Sequence, residues 1–303
     1  MKQLDLKIVA DEMLSEMSGI TRASENTLEA YSRDIKEFVN FCSEKEINSI
    51  DRVSERTIRH FIIRLNENES TKSTISRKLS SLRRLFLFAI KNGYIEKNPI
   101  RRVSNPRIRR KIPEIINVDS YLEIFSLVDK NNVDKKIEVK EAKQIKAIFE
   151  LLYGCALRVS ELCSLDAGDV DFHGMSIRVL GKGSKVRVVP LGSKSAEVLK
   201  DYLGTLSAKS HSVPLFVDEN GERITRHYIY RLVKSYLKDI TDIKKKSPHI
   251  LRHSAATHML DNEADIMAVK EILGHENLST TQIYTHVSVE RLKKSYKKAH
   301  PKS

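Results

Sequence analysis

The chain has no tryptophan and only three cysteines in 303 residues. Cys42, Cys155 and Cys163 are odd in number and stand at no metal-ligand spacing. A disulfide framework and a cysteine-based zinc site are therefore not expected, and reduced thiols in a cytosol are. Long apolar runs are also missing. The longest, LFLFAI at 85–90, falls far short of the roughly 20 residues that cross a bilayer. The opening stretch MKQLDLKIVADEML mixes charges among its apolar residues, so neither secretion nor membrane insertion is expected. Acidic residues are in deficit: 40 Asp and Glu face 53 Lys and Arg, a net charge of +13. Such a surplus favours a polyanionic partner, most often nucleic acid.

What is present describes an ordinary globular chain, 40% hydrophobic and 31% charged, long enough for two domains each with its own core. Residues 1–100 read as helices only, and no proline precedes Pro99. In STISRKLSSLRRLFLFAIKNG, Ile75, Leu79, Leu82, Phe86 and Ile90 recur at helical spacing and Gly93 supplies a stop. Arg77, Arg84 and Lys91, spaced by seven, line another face suited to a phosphate backbone, although each could simply be solvated. Residues 101–117 read as a basic linker, because NPIRRVSNPRIRRKIPE holds three prolines and six Arg or Lys between 101 and 111.

Residues 118–303 form the second region. It starts helical, then changes period: DVDFHGMSIRVLGKGSKVRVVPL reads as three short strands, turned at His173-Gly174 and at Gly181 to Lys185. In ITRHYIYRLVKSYLK, Thr225 caps a helix whose Ile229, Leu232, Val233, Tyr236 and Leu237 form an apolar stripe. Arg226, Arg231, Lys234 and Lys238 stand on its outer face. The predicted fold class is mainly α with a small antiparallel β-sheet in the second domain.

Four short stretches carry chemistry. In SPHILRHSAATHML, Ser247 is a natural N-cap and Pro248 a first helical residue. His249 and Arg252, three apart, then share a face beside the helix N-terminus, a place for a phosphate. His249 and His253 at four-residue spacing lack the glutamate or cysteine that would complete a zinc set, so no metal is assigned. His253 and His258 read as packed or hydrogen-bonded histidines. In LGHENLSTTQIYTH, Gly274 ends a helix with the stripe Ile266, Val269, Ile272 and Leu273. His275 follows in the turn, and Tyr284 falls on the second turn of a helix capped at Ser279. In GCALRVSEL, Arg158 precedes a helix capped at Ser160, and Glu161 can orient Arg158 toward two phosphate oxygens. Lys182, flanked by glycines, sits at a hairpin tip and has neither the spacing nor the following helix of a P-loop.

Arg158, Lys182, His249-x-x-Arg252, His275 and Tyr284, in that order, resemble the tyrosine recombinases, and their Xer branch in particular. The resemblance implies a two-domain DNA clamp of helical core-binding domain, linker and catalytic domain. It implies that Tyr284 is the nucleophile and that Arg158 and Arg252 hold the scissile phosphate. Lys182 would assist the leaving group, with His249 and His275 completing the site. No cofactor is required. The implied partners are double-stranded DNA bearing a specific site, three further protomers of this chain or of a paralogue on two duplexes, and a DNA translocase. The implied setting is a prokaryotic cytoplasm, at the nucleoid. The tail VSVERLKKSYKKAH either docks on a neighbouring subunit, as the resemblance implies, or folds on its own domain. An integrase of a mobile element or a topoisomerase-like enzyme would share the chemistry. A retired, non-catalytic scaffold would tolerate loss of one of the six residues, and all six are present.

Overall fold

The computed structural model describes residues 4–19, 25–108, 114–181, 186–206, 212–274, 296, 299 and 300. The chain divides into two compact units, Met1–Lys111 and Ile112–Ser303.

The first unit is built from α1 (Leu6–Gly19), α2 (Glu25–Ser43), α3 (Glu55–Glu67) and α4 (Lys72–Lys91). Local chemistry sets the ends of α4. The Thr71 hydroxyl accepts the Thr74 N–H at 3.2 Å. At the other end, Gly93 takes a left-handed conformation (φ 71°), and Tyr94 N–H returns to the Ala89 carbonyl at 2.8 Å, closing a Schellman motif. Ile75, Leu79, Leu82 and Phe86 are buried, as their spacing predicts. Phe86 meets Phe38 of α2 edge-on, and Phe38 in turn meets Phe61 of α3 at 5.1 Å. Ile100 and Val103 belong to the same core, and the Arg83 guanidinium donates to the Val103 carbonyl at 2.8 Å. The start of the expected linker is thus part of this unit. Its end, at Ile116, is buried in the second, where its N–H donates to the Ser254 hydroxyl at 2.8 Å.

The second unit holds α5 (Val118–Val133), α6 (Val139–Tyr153), α7 (Val159–Ser164), β1 (Val170–Asp171), β2 (Ser176–Leu180), β3 (Val186–Pro190), α8 (Ser193–Leu203), α9 (Arg226–Ile240), α10 (Pro248–Asp261) and α11 (Ile266–Leu273). Helix α6 lies at its centre: Ile145, Ile148, Phe149, Leu151, Leu152 and Tyr153 are all buried. It also buries the Glu150 carboxylate, which accepts hydrogen bonds from Ser195 at 2.8 Å and Tyr121 at 3.2 Å. The strands form one antiparallel sheet in the order β1-β2-β3, with Ile177, Val179 and Val189 turned into the core. On α9, Thr225 accepts the Tyr228 N–H at 3.2 Å, and the stripe of Ile229, Val233, Tyr236 and Leu237 is buried. Ile266, expected in the stripe of α11, is exposed instead, because it is the helix's first residue and precedes the face that Val269, Ile272 and Leu273 bury.

Three residues of the tail are described, and all three rest on the second unit. The Tyr296 hydroxyl donates to the Gly154 carbonyl at 2.7 Å. The His300 ring stacks on Tyr296 at 4.7 Å, and the Asn262 amide donates to the Ala299 carbonyl at 2.9 Å.

Candidate active site

The site grows from the turn that follows α6. At Gly154 a side chain has no room: an added Cβ would stand 2.6 Å from the Glu150 carbonyl and 2.7 Å from the Ser195 hydroxyl. The chain then passes through Ala156, in the left-handed region at φ 49°, and enters α7. Arg158, not Ser160, is the N-cap residue. The reason is Glu161, whose carboxylate reaches back to the Arg158 backbone N–H at 2.8 Å and so fixes the helix start three residues ahead of itself.

Glu161 is 2% exposed and is the centre of the cluster. Arg158 donates to its Oε1 at 2.7 Å and, through the other terminal nitrogen, to the Gly274 carbonyl at 2.7 Å. Arg187 of β3 grips it with a two-pronged pair, Nη1 to Oε1 at 2.5 Å and Nη2 to Oε2 at 2.9 Å. Arg252 of α10 places Nη1 3.7 Å from Oε2 and donates to the carbonyls of Ala156 and Leu273. Helices α7 and α10 and strand β3 thus meet on one carboxylate, and Arg187 and Arg252 also donate to carbonyls at the end of α11. Two of the five N–H donors of Arg252 go to those backbone carbonyls. Arg158 is the open arm, with about a third (34%) of its side chain exposed.

The electrostatics follow from the count of charges. Burial alone would raise the Glu161 carboxyl, but the hydrogen bonds from Arg187 and Arg158 outweigh it and hold the group below its usual range. Three guanidiniums against one carboxylate leave a surplus of positive charge. Burial first, and then repulsion from Arg158, draw Arg252 down to about 10, so it stays protonated at neutral pH with its charge poorly compensated. Such a place suits an anion with several oxygens, as a phosphodiester is.

Helix α10 begins at Pro248, with Ser247 in the capping position, although the Ser247 hydroxyl makes no cap bond. His249, in the first turn, is exposed, and its ring meets Tyr230 of α9 edge-on at 6.2 Å. His253 is exposed rather than packed. His258 is hydrogen-bonded as expected, its Nδ1 lying 2.8 Å from the Tyr153 hydroxyl. Lys182, His275 and Tyr284 lie outside the described residues. The register of β2 and β3, with Val179 opposite Arg187 and Leu180 opposite Val186, leaves 181–185 to join the two strands. Gly274, the residue before His275, is held at the cluster by Arg158.

Of the cationic residues expected on DNA, Arg84, Arg226 and Arg231 are exposed. Arg77 is engaged within its own unit, where it pairs with the buried Asp34 that also accepts the Ser81 hydroxyl. Lys91 pairs with Glu16 at 3.2 Å. The thiols are poor nucleophiles: burial pushes Cys42 up to about 12 and Cys163 up to about 11, and raises Cys155 further. Among the described residues no cluster of three or more His, Cys, Asp or Glu could hold a metal ion.

Arg187 is the member of this cluster that the sequence reading missed. It stands in VRVVP, where a charged residue in a strand reads as solvent-facing, and its partner Glu161 is 26 positions earlier.

Two family models match. Residues 122–291 fit the phage integrase family and residues 12–93 its N-terminal SAM-like domain. The chain is 40% identical over 287 residues to tyrosine recombinase XerC of Thermodesulfovibrio yellowstonii, covering 92% of each chain. To tyrosine recombinase XerD of Staphylococcus aureus it is 35% identical over 284 residues, covering 92% of this chain and 94% of the relative. Among solved structures, XerH recombinase bound to its palindromic difH substrate in a post-cleavage complex superposes with a TM-score of 0.68 at 23% identity, over 94% of this chain and 83% of that one. A λ integrase dimer (residues 75–356) on a COC′ core site gives 0.69 at 16% identity, over 92% and 100%.

Proposed function

Because the chain belongs to the phage integrase family, and is with it a tyrosine recombinase that cuts and rejoins DNA, we propose how its own residues divide that work. Tyr284 is the nucleophile. Its hydroxyl, with an ordinary pKa of about 10, needs help to attack at neutral pH, and His249 takes the proton. The phenolate oxygen bonds to phosphorus and the bond to the 5′-oxygen breaks, leaving a 3′-phosphotyrosine and a 5′-hydroxyl. Lys182 supplies the proton that this oxygen needs to leave. Arg158 and Arg252, with His275, neutralise the charge that develops on the non-bridging oxygens, each contributing about 3–4 kcal/mol by comparison with other oxyanion donors. Attack by the 5′-hydroxyl of a second strand reverses the step and restores Tyr284. The phosphotyrosine conserves the energy of the backbone bond, so no nucleotide is consumed.

The observation that supports this reading is the arginine cluster on Glu161, a braced surplus of positive charge open through Arg158. The similarity to XerC and XerD supports a job in resolving multimers of chromosomes or plasmids, within a bacterial cytoplasm, by four protomers on two duplexes. An integrase of a mobile element is the second reading, supported by the match of residues 122–291 to the phage integrase family model. The first unit, the basic stretch after it, and Arg84, Arg226 and Arg231 supply the hold on the duplex. Incubation with nicked duplexes bearing candidate sites tests the chemistry. The parent protein yields a band shifted by covalently attached DNA on a denaturing gel, and Tyr284→Phe yields none; a shifted band from both removes Tyr284 from the role.

A further inference from the structure

Resting on the reading that the first unit grips the duplex, we propose that Asp34 is a positioning residue for DNA binding. Buried behind Arg77, its carboxylate aims that guanidinium out from α4 at a backbone phosphate, in line with Arg84.

The observation is the way one ion pair is turned. The Asp34 side chain of α2 is only 2% exposed, whereas the Arg77 side chain that pairs with it is 44% exposed. The acid lies inside and the cation outside. One position further along α4 the order is reversed, for the Lys78 side chain is 8% exposed and its partner Glu37 is 44% exposed. A pair of that second kind shows solvent a carboxylate, which repels DNA. The Asp34 pair shows it a guanidinium. Asp34 is also held from its own side: the Ser81 hydroxyl donates to Oδ2 at 2.9 Å, the same oxygen that Arg77 Nη1 meets. One terminal nitrogen of Arg77 is spent on Asp34, and among the described residues no acceptor takes the other.

Helix α4 gives this arginine its setting. Its 20 residues include no Asp or Glu, and Ser73, Arg77, Ser80 and Arg84, three or four apart, form one exposed line. Hydroxyls and guanidiniums are both donors to phosphate oxygens. Arg77 and Arg84 stand about 10 Å apart along the helix axis, far enough to take different phosphates. A free surface arginine gives up rotamer freedom when it binds, whereas one already held by a carboxylate has given it up on folding. Asp34 thus strengthens the contact although its own charge has the repelling sign.

The test uses the full chain and a fluorescein-labelled duplex of mixed sequence, because phosphate contacts act on any sequence. Anisotropy gives the Kd over a range of salt for the parent, Asp34→Asn, Asp34→Asn with Arg77→Gln, and Arg84→Gln. Asparagine keeps an acceptor for Ser81 and leaves no buried charge unpaired, so the fold should persist, as the melting transition checks. Removing an acid should by charge alone tighten binding to DNA. The brace predicts the opposite, a Kd about 2–10-fold weaker in Asp34→Asn, the scale of ordering one long side chain. The double variant loses a phosphate contact, so its plot of log affinity against log salt should be shallower than the parent's by about 0.9, and that of Arg84→Gln likewise. Tighter or parental binding by Asp34→Asn overturns the proposal, as does a parental slope in the double variant. If Arg84→Gln also keeps the parental slope, the reading that the first unit grips the duplex fails with it.

Discussion

Glu161 is a single buried carboxylate that three guanidiniums share, and its surroundings explain why the cluster is poised for a ligand. Packing cations together is costly, and the depressed Arg252 shows where that cost falls. A bound oxyanion would relieve it. Exchange of chloride for sulfate at matched ionic strength should therefore raise the melting temperature of the DNA-free protein by about 2–5 °C, as a site occupied well above its dissociation constant does. The rise should shrink in Arg158→Gln, which removes the open arm. An equal rise in both proteins would reduce the effect to general exclusion of sulfate from protein surface. Much of this residue-scale picture was legible: Arg158, Glu161 and Arg252 announce themselves by spacing within short motifs. Arg187 did not, because its partners lie 26 positions before it and 85 after it, and only the folded chain brings them together. The pairing of Arg77 was hidden for the same reason. Its helical line of cations is plain in the sequence, whereas the buried Asp34 that holds it is 43 residues away.

Among the elements, α4, α9 and the three strands follow from period and punctuation, since each has a clean apolar stripe and a recognisable cap or turn. Helix α7 was displaced by two residues because Ser160 looks like a cap, and a glutamate at the third helical position overrides it. The junction of α6, α10 and the tail is a polar knot that spacing could not have foretold. Tyr153 stacks on Tyr121 at 3.9 Å and shares a hydrogen bond with His258, and His300 meets its ring edge-on. Burial lowers His258, with the charge of Asp261 opposing, so the fold holds this imidazole neutral more readily than the unfolded chain does. The unfolded chain then binds the extra proton first. The contribution of His258 is complete above its unfolded value of about 6.5 and is lost as pH falls through that value toward the folded one. Between pH 7.5 and 5.5 the parent should lose more melting temperature than His258→Gln, whose amide oxygen can accept the Tyr153 hydroxyl without titrating. Identical losses would show that this hydrogen bond is not what the proton disturbs.

For the whole molecule, the charge of +13 and the absence of any membrane-length apolar run pointed to a polyanionic partner before any motif was read. Among the described residues no helix is long and apolar enough to cross a membrane. The division into two units was visible from the prolines and basic residues of 98–114, and the mixed character of the second from its later change of hydrophobic period. The extent of the linker was not. Ile100, Val103 and Ile116 look like isolated apolar residues in a basic run, yet each is buried in a core whose other members lie far along the chain. The order of the chemistry-bearing residues is the feature that pointed to the family and the reaction, and the proposal above gives the covalent step to its last member, Tyr284. The most direct measurement is therefore mass spectrometry of the trapped protein–DNA complex after protease and nuclease digestion. The account predicts a single modified peptide, with the nucleotide joined through its 3′-phosphate to Tyr284. A nucleotide on any other side chain, or one joined through its 5′-phosphate, would contradict it.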